Sequence, residues 1–313
     1  MPLKITALIV THNRLKKLKV ALKRTLTQDF HHVVIVNCGS TDGTQTYLNN
    51  LDQTRIVIHH TENIGGAGGF AFGAKWITTH LKTDWILFFD DDAYPDKELV
   101  QRFRQITPGN YHGIACHVSS RDELLPLMNT PVKIYPNTFK KLCRYLIKRK
   151  KMIIGKQDLN IPATPIETTS FVGFFIQFNV LKQTYRNITP GLFIYYDDLF
   201  YTYSLHKSGY KLAFMPSLRF HHDTDRQVKI TPWKIYFLTK NIFSLHPLCT
   251  KPAFWGLFLL KLIKLIQTII KNKNIKTGFT LLGLGVLDGF KNNHFRFPRS
   301  NPIGDIIKYA SCK

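Results

Sequence analysis

Three consecutive aspartates, Asp90, Asp91 and Asp92, follow an apolar run in a chain that is otherwise poor in acids. The chain of 313 residues has 43 Lys plus Arg against 20 Asp plus Glu, which gives a formal net charge of +23. Adjacent carboxylates repel one another, so their clustering indicates either a solvated turn or a site for a cation. Carboxylate oxygens are preferred ligands of Mg²⁺ and Mn²⁺, and the triplet is therefore a candidate metal site.

A second acidic pair, Asp197 and Asp198, stands directly before a predicted helix. Two acids at a helix N-terminus complement the helix dipole, which is a structural role. A carboxylate beside a substrate hydroxyl can instead act as a general base. The pair His221 and His222 follows a strand-like run, and such pairs are more often polar surface than ligands. For these residues alone, the structural and the chemical interpretations both stay open.

The elements that must position these residues alternate between strands and helices over the first hundred residues. Four strand-like runs separated by helical patterns predict βαβ units and a parallel sheet. The runs are 5–10, 32–37, 54–61 and 84–89, and the polar clusters that follow them are Thr11–Arg14, Asn37–Thr44, Asn63–Gly69 and Asp90–Asp92. Ligands of such sheets bind outside the carboxyl ends of the strands, so these clusters predict one site rather than four separate turns.

The rest of the chain is less regular. Residues 108–165 are expected to form loops with one helix, and a strand-like run from residue 171 turns helical. A helix that ends near Gly209 and a further strand at 211–216 follow. From about Pro232 the pattern is helical and basic.

The five cysteines are odd in number and lack CxxC spacing, which is typical of reduced thiols in a cytosolic protein. They are Cys38, Cys116, Cys143, Cys249 and Cys312. The apolar run at the amino terminus is too short for a signal peptide and is interpreted as the first strand. The basic excess suits nucleic acid, a membrane surface or phosphorylated substrates, but neither zinc-finger spacing nor an RNA-binding aromatic signature accompanies it.

The chain resembles the inverting glycosyltransferases of family 2, which have the GT-A fold. Five motifs carry the resemblance in the family's order: "IVTHNR", "VNCGSTDGT", "ENIGGAGGF", "FFDDDAYP" and "FIYYDDLFYTYSLHKSGYKLAFMPSLRFHH". It covers roughly residues 5–105 and 165–245, and within the family the third and fifth motifs look most like bacterial galactofuranosyltransferases.

The resemblance implies an α/β fold with a mainly parallel sheet and a C-terminal helical, basic region. The catalytic domain would span residues 1–230, with a nucleotide-binding part of about 1–105 and an acceptor part of about 106–230. Residues 231–313 would form the helical region.

Roles for individual residues also follow from the resemblance. Asp90, Asp92 and His222 would hold a divalent cation, Mn²⁺ or Mg²⁺, and the imidazole favours Mn²⁺. Asp198 would be the general base, and Asp197 beside it would bind the hydroxyls of the acceptor. The nucleotide-sugar site would comprise Thr11, Asn13, Arg14, Asn37, Asn63, Gly66 and Asp91, and the acceptor site Gly173, Phe174 and Tyr196. Asn37 stands where the family commonly has an aspartate on the pyrimidine, so the identity of the base stays open.

The implied function is metal-dependent, inverting transfer of a hexose from a nucleotide diphosphate sugar. Galactofuranose linked to UDP is the expected donor, and a cell-surface glycan or a lipid-linked molecule the expected acceptor. A rhamnosyltransferase or another hexosyltransferase of the family is the alternative. A nucleotidyltransferase would need a glycine- and arginine-rich phosphate loop after the first strand, which "THNRLKK" is not. A basic nucleic-acid-binding protein would leave the acidic clusters unexplained.

One predicted helix of the C-terminal region carries a polar stripe on an otherwise apolar surface. The stripe consists of Lys261, Lys264, Thr268 and Lys271. The pattern is typical of a helix lying in a membrane interface with its lysines on anionic headgroups, and equally of a helix that packs on the catalytic domain. The net charge and the implied lipid-linked acceptor favour the first, so we expect a cytoplasmic protein attached peripherally to the inner face of the membrane.

Overall fold

The computed structural model describes residues 2–51, 54–106, 109–120, 124–126, 129–223, 230–271, 275–294, 296–297 and 302–311. Cys312 lies outside these residues, and the four described cysteines have free thiols.

The amino-terminal part contains the predicted βαβ units. Its elements are β1 (Ile5–Thr11), α1 (Leu15–Leu26), β2 (His32–Cys38), α2 (Thr44–Asn49), β3 (Ile56–Thr61), α3 (Gly65–His80) and β4 (Trp85–Asp90). Strand β1 pairs in parallel with β2 and β4, and β2 pairs in parallel with β3. All seven residues of β1 are buried, as expected for a parallel strand covered by helices on both faces.

The second part of the chain extends the same sheet mostly with antiparallel pairs. Its elements are β5 (Ala93–Pro95), α4 (Leu99–Gln105), β6 (Gly113–Ser119), α5 (Phe139–Met152), β7 (Thr164–Ile166), β8 (Phe174–Gln177), α6 (Phe178–Thr184), α7 (Asp197–Lys207) and β9 (Leu212–His222). The strand order is β3-β2-β1-β4-β8-β6-β9-β5, with β7 also paired to β9. The parallel character predicted for the sheet thus belongs mainly to its first four strands.

The C-terminal region is helical, as predicted. It consists of α8 (Pro232–Lys240), a 3₁₀ segment (Asn241–Leu248), α9 (Lys251–Lys271), α10 (Ile275–Phe290) and α11 (Pro302–Ser311). Helix α10 approaches α8 at Gly285, where a Cβ atom would lie 2.8 Å from the carbonyl oxygen of Tyr236. Among the helices that the structure describes, α9 alone is long and apolar enough to cross a membrane. The α/β fold with a helical C-terminal region is confirmed, whereas the domain boundary at residue 230 stays a prediction.

Candidate active site

The polar ends of the first strands meet at one edge of the sheet. The register places Thr11 beside Asn37 across β1 and β2, and Val10 beside Asp90 across β1 and β4. The aspartate triplet and the polar residues after β1 and β2 are therefore neighbours, as the sequence predicts.

Asp91 is held by the turn that follows β1. Its carboxylate accepts hydrogen bonds from the Thr11 hydroxyl at 2.7 Å and the His12 backbone N–H at 3.2 Å. The Arg14 guanidinium lies 3.4 Å from its other oxygen. Burial raises the pKa of Asp91 to about 6, against the opposing charge of Arg14. The structure thus brings Thr11, Arg14 and Asp91 together in one network.

Asp92 joins this network to His222. Its carboxylate forms an ion pair with Arg14, and its other oxygen lies 3.1 Å from Nε2 of His222. Burial alone would raise the pKa of Asp92, but the His222 hydrogen bond and the charge of Arg14 outweigh burial and lower the pKa. Nδ1 of His222 lies 2.7 Å from Oδ1 of Asn129. Asn129 therefore orients the imidazole so that Nε2 faces the aspartates, a role that the sequence did not indicate.

The two histidines at the end of β9 have different surroundings. His222 is buried between Asp92 and Asn129, whereas the His221 side chain is 41% exposed and faces Asp96 at 3.8 Å. Of the pair, only His222 faces the aspartate triplet.

Asp90 ends β4 beside two other carboxylates. Burial raises its pKa to about 7, with the charges of Asp92 and Asp91 acting in the same direction. Within the described part of the chain, no three Asp, Glu, His or Cys side chains form a ready metal cluster. The donors nevertheless fit a divalent ion, because Asp92 and His222 face each other and the crowding at Asp90 would be relieved by a cation. Such an ion would take its other ligands from phosphate and water.

Asn13 and Asn37 organise the turns beside the triplet. Asn13 adopts a φ of 53°, donates its backbone N–H to the Ser40 hydroxyl at 2.9 Å and accepts from the Thr41 N–H at 2.6 Å. Asn37 accepts from the Ser40 N–H at 3.2 Å, and its Nδ2 lies 3.0 Å from Nδ1 of His60. The Asn37 amide is buried in these contacts, so it shapes the turn that lines the edge.

The glycine-rich start of α3 lies between the two acidic clusters. Oδ1 of Asn63 accepts from the Gly65 N–H at 3.2 Å, and the Ala67 N–H donates to the Phe193 carbonyl at 3.1 Å. Gly65 has a φ of 71°, and a Cβ there would lie 2.3 Å from that carbonyl oxygen. A Cβ at Gly66 would meet no atom within 4 Å, which leaves room for a ligand.

Asp197 and Asp198 begin α7, after a loop in which Tyr195 and Tyr196 both have positive φ values of 70° and 67°. Burial raises the pKa of Asp198 to about 6. Burial and the neighbouring charge of Asp198 raise the pKa of Asp197 well above its usual range, and the charge of Asp90 adds to this. The two acidic clusters are thus within electrostatic reach of each other.

The loop before these acids is held by the C-terminal region. Nδ2 of Asn241 lies 2.7 Å from the carbonyl oxygens of Leu192 and Ile194 and 3.1 Å from that of Tyr195. The buried ammonium of Lys240 donates to the Gly191 carbonyl at 3.1 Å, and burial lowers its pKa to about 8. We call Lys240 and Asn241 the loop clamp; no motif in the sequence marked them.

The three residues expected at the acceptor have different positions. Gly173, with a φ of 71°, bridges strands by donating to the Phe88 carbonyl at 3.0 Å. Phe174 is fully buried in the core, so its ring does not face an acceptor as expected. Tyr196 is half-buried beside Asp197, and the Lys261 ammonium lies 5.6 Å from the centre of its ring. Lys261 therefore faces Tyr196, whereas Lys264 and Lys271 of the same predicted stripe are exposed.

Comparison with known proteins gives a family for the amino-terminal part of the chain and a fold for most of it. Residues 6–123 match the family model described as Glycosyl transferase family 2. The galactofuranosyltransferase GlfT1 of Mycolicibacterium smegmatis is 30% identical over 93 residues, which are 29% of this chain and 30% of that protein. The matched segment thus spans less than a third of this curated relative.

Two solved structures share the fold. S. aureus TarS 1-349 has a TM-score of 0.54 at 15% identity, covering 98% of this chain and 89% of that chain. The mannosyltransferase PcManGT from Pyrobaculum calidifontis, in complex with GDP-Man and Mn²⁺, has a TM-score of 0.51 at 14% identity. That likeness covers 99% of this chain and 81% of the mannosyltransferase.

Proposed function

Because residues 6–123 form a glycosyltransferase family 2 domain on a GT-A fold, we propose that this protein is a nucleotide-sugar glycosyltransferase that inverts the transferred sugar. The donor would be a UDP-linked hexose, galactofuranose, and the acceptor a hydroxyl of a cell-surface glycan or a lipid-linked molecule. One observation carries the proposal: the start of α3 joins Asp90–Asp92 to Asp197–Asp198. On one side Asn63 lies 3.4 Å from His12, whose N–H donates to Asp91, and on the other the Ala67 N–H donates at 3.1 Å to the Phe193 carbonyl in the loop before Asp197. A donor bound at Asp90–Asp92 and an acceptor bound at Asp197–Asp198 could therefore react with each other.

Asp90, Asp92 and His222 would hold the divalent ion, and the mixed oxygen and nitrogen donor set fits Mn²⁺. When bound, the ion would neutralise the negative charge that develops on the departing diphosphate. Arg14 adds a permanent cation at the same place, since its half-exposed guanidinium already pairs with Asp91 and Asp92. The Thr11 and Arg14 turn would hold the nucleotide against the edge of the sheet.

Asp198 is the proposed general base. Its carboxyl has a pKa of about 6, so it is a stronger base than an ordinary aspartate and is still ionised at neutral pH. It would take the proton of the acceptor hydroxyl as the new bond to the anomeric carbon forms and the bond to diphosphate breaks. Asp197, which is buried beside Asp198, would hydrogen-bond to the hydroxyls of the acceptor.

The residues beside the proposed base favour an acceptor that carries negative charge. The Lys261 ammonium lies over Tyr196, and Tyr196 directly precedes the two acids. A phosphate group, as in a lipid-linked acceptor, would complement this cation. The free thiols of the described cysteines are consistent with a cytoplasmic location. Nucleotide-sugar donors would be available there.

Donor hydrolysis without acceptor tests the proposal. The enzyme with Mn²⁺ would be incubated with UDP-galactofuranose, UDP-galactose, UDP-glucose, GDP-mannose and dTDP-rhamnose, and release of nucleoside diphosphate measured. We expect UDP-galactofuranose to be consumed fastest, and Asp92→Asn to lose the activity while the matched surface variant Asp29→Asn keeps it. Preferred consumption of another donor would reassign the sugar. No consumption of any donor with Mn²⁺ or Mg²⁺ would contradict the proposed activity.

A further inference from the structure

Helix α9 exposes an apolar stripe along its whole length. Trp255, Leu259, Ile263 and Ile270 have side chains that are 42%, 55%, 45% and 58% exposed. Residues spaced by four and seven positions lie on one face of a helix, so the four side chains form a single stripe. A soluble surface rarely presents large apolar side chains in such a row.

Helix α10 exposes a second stripe. Ile275, Phe279, Leu287 and Phe290 are 51%, 42%, 44% and 59% exposed, and the exposed Gly283 lies on the same face between them. This helix also turns its opposite side inward, where it packs on α8.

The two stripes form one surface. Helices α9 and α10 run antiparallel, because Gly278 near the start of α10 lies against Ile269 near the end of α9. At the other end, the rings of Trp255 and Phe290 have centroids 5.6 Å apart. We call the eight exposed residues of the two stripes the apolar platform.

A cavity opens at one end of the platform. It has a volume of about 490 Å³, and its lining includes Trp255 and Phe290 together with Phe200, Phe243 and Phe254. Aromatic side chains give the cavity an apolar wall, which would suit a hydrocarbon chain.

The inner face of α9 fixes the helix along the protein. Leu265 and Ile269 are buried against Ile235 and Leu238 of α8, and Lys261 reaches Tyr196. A helix that crossed a bilayer would have to give up this packing. Helix α9 is therefore suited to lie on a membrane and not to span it.

The charges around the platform are basic. Lys264, Lys271 and Lys276 are exposed beside it, and Asp288 of α10 is buried and paired with Arg296. Helix α5 packs beside α9, with Leu142 against Gly256. Its exposed side chains are Phe139, Lys140, Arg144, Leu146, Ile147, Lys148, Lys150 and Lys151. Two copies of this surface facing each other would bring basic rims together, which disfavours a symmetric dimer and favours an anionic partner.

We propose that the apolar platform lies in the interface of an anionic lipid membrane, with the surrounding lysines and the exposed face of α5 on the lipid headgroups. Apolar side chains would enter the region between headgroups and acyl chains, and each lysine near the surface would add attraction. Since the same helix contacts Tyr196 on its inner side, the acceptor side would lie near the membrane; this last step rests on the proposed function.

Vesicle flotation tests the surface. The full chain would be mixed with vesicles of phosphatidylcholine and phosphatidylglycerol at 7:3, and with pure phosphatidylcholine. We expect binding to the anionic vesicles, and a loss of about a hundredfold in Leu259→Gln/Ile263→Gln/Phe279→Gln, because each partly buried apolar side chain contributes on the order of tenfold or less. Lys264→Gln/Lys271→Gln should lose roughly fivefold for each charge.

The matched control is Val20→Gln/Ile161→Gln, which changes residues that are 49% and 44% exposed outside the platform. It should float like the wild type, and all variants should hydrolyse the donor at wild-type rate in the absence of acceptor. Absent binding by the wild type, or equal losses in the control and triple variants, would overturn the proposal. A lipid-free dimer in sedimentation velocity that the triple variant dissociates would assign the platform to a second copy and also overturn it. Failure of the proposed activity would show in donor hydrolysis and leave flotation unchanged.

Discussion

The pH dependence of transfer is the sharpest test of Asp198 as the base. A general base acts only when it is ionised, and burial raises the pKa of Asp198 to about 6. The rate at saturating substrate should therefore fall as the pH drops through about 6, instead of persisting to the lower pH at which an ordinary aspartate protonates. The direction follows from the charge: burial disfavours the carboxylate, so protonation occurs at higher pH.

The expected size of the effect follows from the fraction of Asp198 that is ionised. With a pKa of about 6, roughly 91% of the carboxyl is ionised at pH 7 and roughly 9% at pH 5, so kcat should fall about tenfold. With the ordinary pKa of about 3.9, more than roughly 90% would remain ionised at pH 5, and kcat would hardly change. The two cases are well separated.

The assay is the initial rate of transfer to a soluble acceptor at saturating donor and Mn²⁺, measured from pH 5 to pH 8. Asp198→Asn should lower kcat by about 10²- to 10⁴-fold and remove the acidic limb of the profile, while nucleotide affinity is kept. Asp29→Asn is the control for the isosteric change and should keep both rate and profile. A transfer rate for Asp198→Asn within tenfold of wild type, with the same acidic limb, would refute the assignment of the base.

Three further outcomes are expected. Mn²⁺ should increase the affinity for UDP in calorimetric titration, and His222→Ala should reduce this increase by about tenfold or more, because the imidazole faces Asp92. His221→Ala should leave the increase unchanged. The reverse pattern would assign the metal ligand to the exposed His221. Asn241→Leu removes the amide contacts to the loop, so the free energy of unfolding should fall by about 2 kcal/mol. The kcat/KM for the acceptor should also fall, while UDP binding is kept. An unchanged kcat/KM would contradict the role of the loop clamp. Asp197→Asn should raise the unfolding midpoint at pH 8 but not at pH 4. The raised pKa of Asp197 makes the native state bind more protons than the unfolded chain above the ordinary aspartate pKa, so the wild type loses about 1.4 kcal/mol of stability at high pH for each unit by which the pKa is raised. A variant with the wild-type midpoint at both pH values would contradict the raised pKa.

The sequence predicted the elements of the first hundred residues and the edge of the sheet, because both depend on local patterns. It did not predict strand β6, which lies within residues 108–165, where loops with one helix were expected. Apolar runs such as 84–89 are close to the observed Trp85–Asp90, and polar residues after such runs must lie at the strand ends. The network of Thr11, Arg14 and Asp91 follows from that geometry. In a parallel sheet the carboxyl ends of neighbouring strands lie side by side, so residues that follow those strands are close in space.

The contacts that the sequence could not predict join positions that are distant along the chain. Asn129 reaches His222 across 93 positions, and no local pattern marks an asparagine for that contact. Phe174 lies in an apolar run whose pattern is the same whether a ring is in the core or lines a site. Lys261 belongs to a stripe at helical spacing, but the spacing does not say which neighbour the stripe will face.

The loop clamp has a consequence for how such chains can be recombined. Lys240 and Asn241 lie in the C-terminal region, yet they hold the carbonyl groups of the loop that precedes the proposed base. A chimera that exchanged everything after residue 230 for the corresponding part of another transferase would keep the nucleotide edge but replace the clamp. The choice of acceptor and the C-terminal helices would therefore be inherited together, as one unit of exchange, even though they are separate along the sequence.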